Sequence, residues 1–356
     1  MKIFFYSHTL RPGGAEKQCA LIAAELKRRY GYDSTVLLNN ADGAKPEFLQ
    51  YLKGARAELI KLPKSPVARI LRLYQIFRAN RDAVLFNYLT YPDFMGALVA
   101  RLAGLKRIFG GIETDRMFGY KFWLEKFSHK FLSYKTTCNS YRAFEFFASR
   151  GFGRERMPIT PSAIELSECE PVLRNDETVR IIVVGRFVPE KDYLTWVDVI
   201  AEVYREEPRI RATIIGYGVL EIEIRARIKQ HGLESIIEIL PGQTADVRGE
   251  LRKHDIYFSS STQEGTSNTI LEAMEAGLPI VATRVGDNVR MVENGESGFL
   301  CEPKDVGGLS RALCSLSCNA QLRCKLGHRS REILKANYSI ERIAEVYDAL
   351  VREAAS

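Results

Sequence analysis

A chain of 356 residues, 46% hydrophobic and 27% charged, has the make-up of a soluble globular protein and a length that suggests two domains. No apolar run approaches the ~18 residues of a membrane-spanning helix, and the opening MKIFFYSHTL has too short an apolar stretch for a signal peptide. The net charge is +7, and seven scattered cysteines, an odd number, point to reduced thiols in a cytosolic setting.

Residues 3–7 (IFFYS) read as a buried strand. A loop with Gly13 and Gly14 follows, then a helix to about Tyr30 with Cys19, Ile22, Ala23 and Leu26 on one face. Strand, glycine loop and helix form the phosphate-binding arrangement of Rossmann-like units. The spacing is not G-x-G-x-x-G, which argues against a dinucleotide cofactor, and a bare Gly-Gly is equally a plain turn. Strand signals recur at 34–38, 83–87 and 107–110 with helical segments between them, the alternation of a covered parallel sheet. Residues 46–64 and the LTYPD run after Asn87 read as connections. Past the strand at 107–110 stand Glu113, Thr114 and Asp115, the last placed to cap a helix.

From Arg116 to Arg156 nine Lys/Arg face three Glu, a local balance of 9 − 3 = +6, interleaved with twelve aromatic residues on expected helices. Such a stretch suits an anionic membrane surface. It equally suits an aromatic core face beneath a solvated basic one, and no nucleic-acid motif accompanies it. Residues 157–170 read as the join between domains, and the polar run to Thr178 as a linker.

The second half opens on a continuous apolar strand, 179–184, that ends in Gly185-Arg186 with Glu190-Lys191 close behind. Arginine offers a planar fork to phosphate oxygens and lysine a point charge, at the strand end where such folds bind ligands. Strands at 212–215 and 236–240 end in Gly216-Tyr217-Gly218 and Pro241-Gly242-Gln243-Thr244, and a helix is expected over 245–254. The strand at 256–260 leads into a polar loop with Glu264 and Gly265, and then a helix over 268–276. Thr266, Ser267 and Asn268 are expected to cap its first N–H groups, and the helix start offers an anion site. Glu272 lies in that helix, eight positions after Glu264, so the stretch combines an anion cradle with two acids able to grip hydroxyl groups. A strand at 280–283 and helices at 305–317, 320–335 and 339–353 complete the chain. Cys314, Cys318 and Cys324 read as small core residues rather than as metal ligands.

The run EGTSNTILE at 264–272, with AMEAGLPIVAT after it, resembles the Glu–seven residues–Glu signature of retaining glycosyltransferases of the two-Rossmann (GT-B) type, family 4 or group 1. Gly13-Gly14-Ala15-Glu16, the segment Thr160-Pro-Ser-Ala-Ile-Glu165 and Gly216-x-Gly218 are similar to further segments of that family. The resemblance implies an α/β fold of two Rossmann-like domains facing a central cleft. It implies an acceptor-binding domain over 1–164, a nucleotide-sugar domain over 165–338 and a C-terminal helix, 339–356, crossing back to the first. It further implies transfer, with retention, from a nucleotide-diphosphate sugar, UDP- or GDP-linked. Donor contacts would come from Gly13, Gly14, Gly185, Arg186, Lys191, Gly216, Gly218, Gly242, Gln243, Glu264, Gly265, Thr266, Ser267, Asn268 and Glu272. Glu264, Arg186 and Lys191 would carry the chemistry.

The family's usual histidine after the strand at 107–110 is missing, so Glu113 and Asp115 stand as candidates beside the reacting carbon. The chain has no Asp-x-Asp, so neither a metal nor a cofactor is expected. The basic aromatic stretch points to a lipid-linked or cell-envelope glycan acceptor and peripheral contact with the inner membrane face. A sugar-nucleotide epimerase, a phosphorylase or a non-catalytic nucleotide-sugar binder on the same fold are the competing readings.

Overall fold

The computed structural model describes residues 1–11, 13–167, 177–242 and 246–356. They form two compact units, Met1–Ala163 with Tyr338–Ser356, and Ile164–Asn337.

In chain order the first unit holds β1 (Lys2–Ser7), α1 (Gly14–Tyr30), β2 (Asp33–Leu38), α2 (Pro46–Gly54), β3 (Glu58–Lys61), α3 (Pro66–Ala79) and β4 (Val84–Asn87). It continues through α4 (Thr90–Ala103), β5 (Arg107–Ile112), α5 (Gly119–Phe127), a π-helical turn (Ser128–Leu132), β6 (Lys135–Cys138) and α6 (Tyr141–Ala148). All six strands are parallel, in the order β3-β2-β1-β4-β5-β6. Side chains alternate across the sheet. Ile3 and Phe5 join one buried cluster with α1 and α2, while Phe4 and Tyr6 join another with α3 and α4. That double burial is why β1 reads as an unbroken apolar run.

Two connections expected between strands are regular structure. The 46–64 stretch holds α2 and β3, and LTYPD opens α4, with Pro92 in its first turn, where a missing N–H costs nothing. Strand β6 lies inside the stretch read as helical; as an edge strand its KTTC carries no apolar run to mark it.

The second unit holds β7 (Val179–Val184), a 3₁₀ turn (Pro189–Lys191), α7 (Tyr193–Glu206), β8 (Ile210–Gly216), α8 (Glu221–Gln230), β9 (Ile237–Pro241), α9 (Val247–Leu251) and β10 (Ile256–Ser259). Then come α10 (Asn268–Glu275), β11 (Ile280–Thr283), α11 (Asn288–Met291), β12 (Gly298–Cys301), α12 (Val306–Ser317) and α13 (Ala320–Asn337). Its parallel sheet runs β12-β11-β10-β7-β8-β9, the same order as the first when counted within the unit. Strand β12 lies between the expected strand at 280–283 and the expected helix at 305–317, where no strand was read. Cys314 packs half-buried against the core, as expected of a small core residue, but Cys318 does not. Their thiols donate to Glu206 and Glu207 from half-buried and exposed positions on α12 and just past its end.

The last helix, α14 (Ile340–Ala355), belongs to the first unit. Ile340, Ile343, Ala344, Tyr347 and Val351 make its buried stripe, which shares a cluster with Cys19, Ile22 and Leu26 of α1. Each such large side chain contributes roughly 1.5–3 kcal/mol on burial. Tyr32 donates to Asp348 at 2.6 Å and Arg107 to the carbonyl of Ala354 at 2.8 Å, fixing the helix along its length. Among the described residues no helix is long and apolar enough to cross a membrane.

Candidate active site

The second unit brings its polar strand ends together at one point. Strands β7 and β10 are hydrogen-bonded neighbours, with Ile181 beside Ile256 and Ile182 beside Tyr257, although their connections diverge in sequence. This is the reversal point of the strand order, where adjacent connections leave a crevice at the carboxyl ends. The turn after β7 and the loop after β10 therefore meet. Ser260 donates to the carbonyl of Asp192 at 2.8 Å, and the Thr262 N–H to the carbonyl of Glu190 at 2.8 Å.

Across that seam Lys191 Nζ lies 2.5 Å from Glu264 Oε1, an ion pair between residues 73 positions apart. The same oxygen accepts from Ser261 Oγ at 2.7 Å. Glu264 is only 8% exposed, so the pair sits where water screens it weakly. Asp192, in the left-handed region at φ 46°, lets the chain turn directly from Lys191 into α7.

The glycines explain how close the strand ends come. A Cβ on Gly216 would lie 2.1 Å from the Gly185 carbonyl oxygen, and one on Gly242 would lie 2.9 Å from Gly216 Cα. The Lys191 stem runs past Gly185. Beneath it Tyr193 donates to the Gly185 carbonyl at 2.9 Å, and Tyr257 shares a hydrogen bond with Thr269 of α10 at 2.8 Å. Burial pushes both phenols up, and the nearby Glu264 adds to the effect on each.

Glu264 and Gly265 are held from the far side by the loop after β11. Thr266 Oγ1 donates to Asp287 Oδ2 at 2.9 Å, and Gly286, at φ 52°, packs so tightly that a Cβ there would overlap the Glu264 carbonyl. The expected caps of α10 are not made. Thr266 turns to Asp287, Ser267 occupies the N-cap with its hydroxyl bonded to Thr269 Oγ1 rather than to a backbone N–H, and Asn268 is exposed. The N-cap side chain thus leaves the first-turn N–H groups of α10, four residues past Glu264, without a cap bond from it. Glu272 is half-buried on this helix. Arg186 sits on the tip of β7, exposed and without an ion-pair partner among the described residues. Gly218 closes the β8 turn at φ 149°. Gln243 and Thr244 lie outside the described residues.

In the first unit Gly13 is the N-cap of α1 and Gly14 its first residue, both exposed. Glu113 follows β5 and is near Glu16 in the first turn of α1. Burial, with Glu16 adding like charge, pushes the Glu113 carboxyl up to about 7 although Asn139 bonds it. Asp115 does not cap α5, whose N-cap is Phe118; it pairs instead with Arg142 of α6 at 3.3 Å.

Sequence reading missed Ser261, Asp287 and Gly286, which orient Glu264 and its loop. Each belongs to a run with strand or turn character, and only the pairing of β10 with its neighbours reveals what the side chain touches. Among the described residues no cluster of three His, Cys, Asp or Glu is placed to hold a metal ion.

Residues 178–319 match the family described as Glycosyl transferases group 1. Over 353 residues the chain is 23% identical to the lipopolysaccharide core biosynthesis glycosyltransferase LpsE of Rhizobium meliloti, covering 98% of both. It is 22% identical over 316 residues to the UDP-Gal:alpha-D-GlcNAc-diphosphoundecaprenol alpha-1,3-galactosyltransferase of Escherichia coli, covering 82% of this chain and 80% of that one. Several other curated relatives match over about half of their length or less. The crystal structure of Alr3699/HepE from Anabaena, in complex with UDP and glucose, superimposes with a TM-score of 0.81 over 99% of each chain at 18% identity, a likeness of fold.

Proposed function

We propose that the chain, a two-domain GT-B fold matching the group 1 glycosyltransferases over residues 178–319, moves a sugar, with retention at the anomeric carbon, from a nucleotide-diphosphate donor to a lipid-linked or cell-envelope glycan. The observation that carries the proposal is the Lys191–Glu264 pair, joined at the strand-order reversal beside the uncapped start of α10.

The leaving group is a nucleotide diphosphate, so the main requirement is to stabilise developing negative charge. Lys191, Arg186 and the first N–H groups of α10 supply it without a metal in this reading. Glu264, held by Ser261 and Lys191, grips the sugar hydroxyls, and Glu272 the ribose diol. The β8 and β9 turns at Gly216, Gly218 and Gly242, with Gln243, receive the base. Gly13 and Gly14 are assigned to the diphosphate, and Glu113 to the reacting sugar in place of the family's histidine, with Asp115 as the weaker candidate because Arg142 engages it. Departure of the phosphate assists front-face attack by the acceptor.

The names of two relatives, which concern lipopolysaccharide core and a diphosphoundecaprenol-linked sugar, support the acceptor class. The basic aromatic surface supports it as well. Phe118, Tyr120 and Trp123 of α5 and its cap are exposed, as are Phe127 and Phe131, with Lys126 stacked over Trp123 and Lys130 over Phe131. That arrangement supports peripheral contact with an anionic membrane.

Labelled UDP- and GDP-sugars incubated with lipid-linked acceptors test the reading. A glycosylated product with the donor's anomeric configuration, formed equally in EDTA, is expected. A free or epimerised sugar, or nucleotide binding with no product from any donor, would overturn it.

A further inference from the structure

A serine at an N-cap ordinarily turns its hydroxyl to the N–H of the second or third helical residue. Ser140 and Ser339 do so at the starts of α6 and α14, accepting from the N–H groups of Ala143 and Arg342 at 3.1 and 3.3 Å. Ser267, at the start of α10, does not. Its backbone is extended, at φ −79° and ψ 106°, as the N-cap position requires, so the side chain alone withholds the bond. The Ser267 hydroxyl pairs instead with Thr269 Oγ1 at 3.3 Å, and Thr269 Oγ1 pairs with Tyr257 Oη at 2.8 Å. Tyr257 is anchored in the sheet, beside Ile182 of β7 and Ile280 of β11, and is 1% exposed. We infer that Tyr257 and Thr269 are positioning residues for the donor diphosphate: their hydroxyl chain holds Ser267 aside and leaves the N–H groups of Thr269 and Ile270 to a phosphate.

Both residues act through the helix start and neither touches the substrate, so their role rests on the donor reading above. Ser267 is 4% exposed, and a buried hydroxyl takes its partners from the protein. Without the Thr269 hydroxyl beside it, the N–H groups of its own helix are the partners within reach. Burial pushes the Tyr257 phenol up, so its hydroxyl keeps its proton and the chain persists across the working pH range. Thr266, one residue before the N-cap, is turned away as well, since its Oγ1 donates to Asp287 Oδ2 at 2.9 Å. A phosphate arriving at a capped start has to displace the serine first. Its affinity then falls by the worth of a typical cap, about fivefold.

The test removes both hydroxyls at once, because a lone deletion would orphan the other. In the full-length Tyr257→Phe/Thr269→Val variant the Ser267 hydroxyl is expected to swing onto the helix. Adding Ser267→Ala should then lower the thermal midpoint in that background, and hardly at all in the wild type, where no cap bond is lost. Calorimetric titration with UDP, GDP and inorganic pyrophosphate should show about fivefold weaker binding to Tyr257→Phe/Thr269→Val than to the wild type. Thr269→Ser, which keeps the hydroxyl, should bind as the wild type does. A merely structural role would make the loss on Ser267→Ala the same in both backgrounds. That equality, or wild-type affinity in Tyr257→Phe/Thr269→Val, would overturn the role of the hydroxyl chain while tight wild-type binding still upheld the donor reading. A wild type that binds none of the three ligands would overturn the donor reading, and the role of the chain with it.

Discussion

The two units share one strand order but place their acids differently. In the second unit Glu264 meets a lysine and a serine hydroxyl at the strand ends. In the first, acids are buried against one another. Asp93 of α4 and Glu125 of α5 lie against each other, with Ser128 and Asn87 beside Asp93, and burial pushes Asp93 up to about 6 and Glu125 well above the usual carboxylate range. Burial and like charge both oppose ionising the two carboxyls together, so the pair favours holding a proton. Glu113, pushed up to about 7, belongs to the same pattern. The same topology thus produces an ion-paired anion site in one unit and proton-holding acids in the other, because neighbouring connections supply opposite charges in one case and like charges in the other.

The sharpest way to break this contrast is to remove either half of the ion pair. Lys191→Ala or Glu264→Ala should lower kcat/KM on the order of 10²–10³-fold, and the double variant little further, since the two act as one unit. Steady-state kinetics of all three variants read this; losses that multiply would show the residues act separately.

A smaller effect is expected at the stacked strand ends. Gly216→Ala would push a methyl into the Gly185 carbonyl, and should cost roughly 1–3 kcal/mol of unfolding free energy together with nucleotide affinity. Denaturant unfolding and UDP titration measure the two losses.

The first unit's acids are read by pH. A carboxyl whose folded value is raised keeps its proton in the native state after the unfolded chain has released it. Its stabilising contribution is full below about 4.3 and is lost as pH rises through about 7 for Glu113. The thermal midpoint of Glu113→Gln minus that of the wild type should therefore widen across that window and level off above it. Taking the difference cancels Asp93, which acts with the same sign at lower pH. A gap that is flat with pH would remove Glu113 from the proton-holding class.

The smallest effect belongs to Asp115. Its 3.3 Å pair with Arg142 is partly solvated, so Asp115→Asn should cost under about 1 kcal/mol, and less in high salt. A large loss of turnover at unchanged stability would restore it as a reacting group.

Much of this protein is legible in the sequence. The apolar runs of β1 and β7 announce parallel strands because both faces are buried. The spacing within EGTSNTILE places Glu264 in a loop and Glu272 on a helix, and the stripe of α14 is periodic enough to mark a buried helix. The edge strands β3, β6 and β12 were not legible, since ELIK, KTTC and GFLC lack the unbroken apolar run that marks the equally short inner strands β4, β10 and β11. Nor was the fate of Thr266 or Asp115, whose partners lie 21 and 27 positions away and depend on which strands become neighbours. Local propensity and hydrophobic period are properties of contiguous residues and survive in a linear reading. The meeting of Lys191 with Glu264, the rise of the Glu113 carboxyl and the turning of the Ser267 hydroxyl to Thr269 depend on what surrounds each side chain, and only the packed sheet decided them.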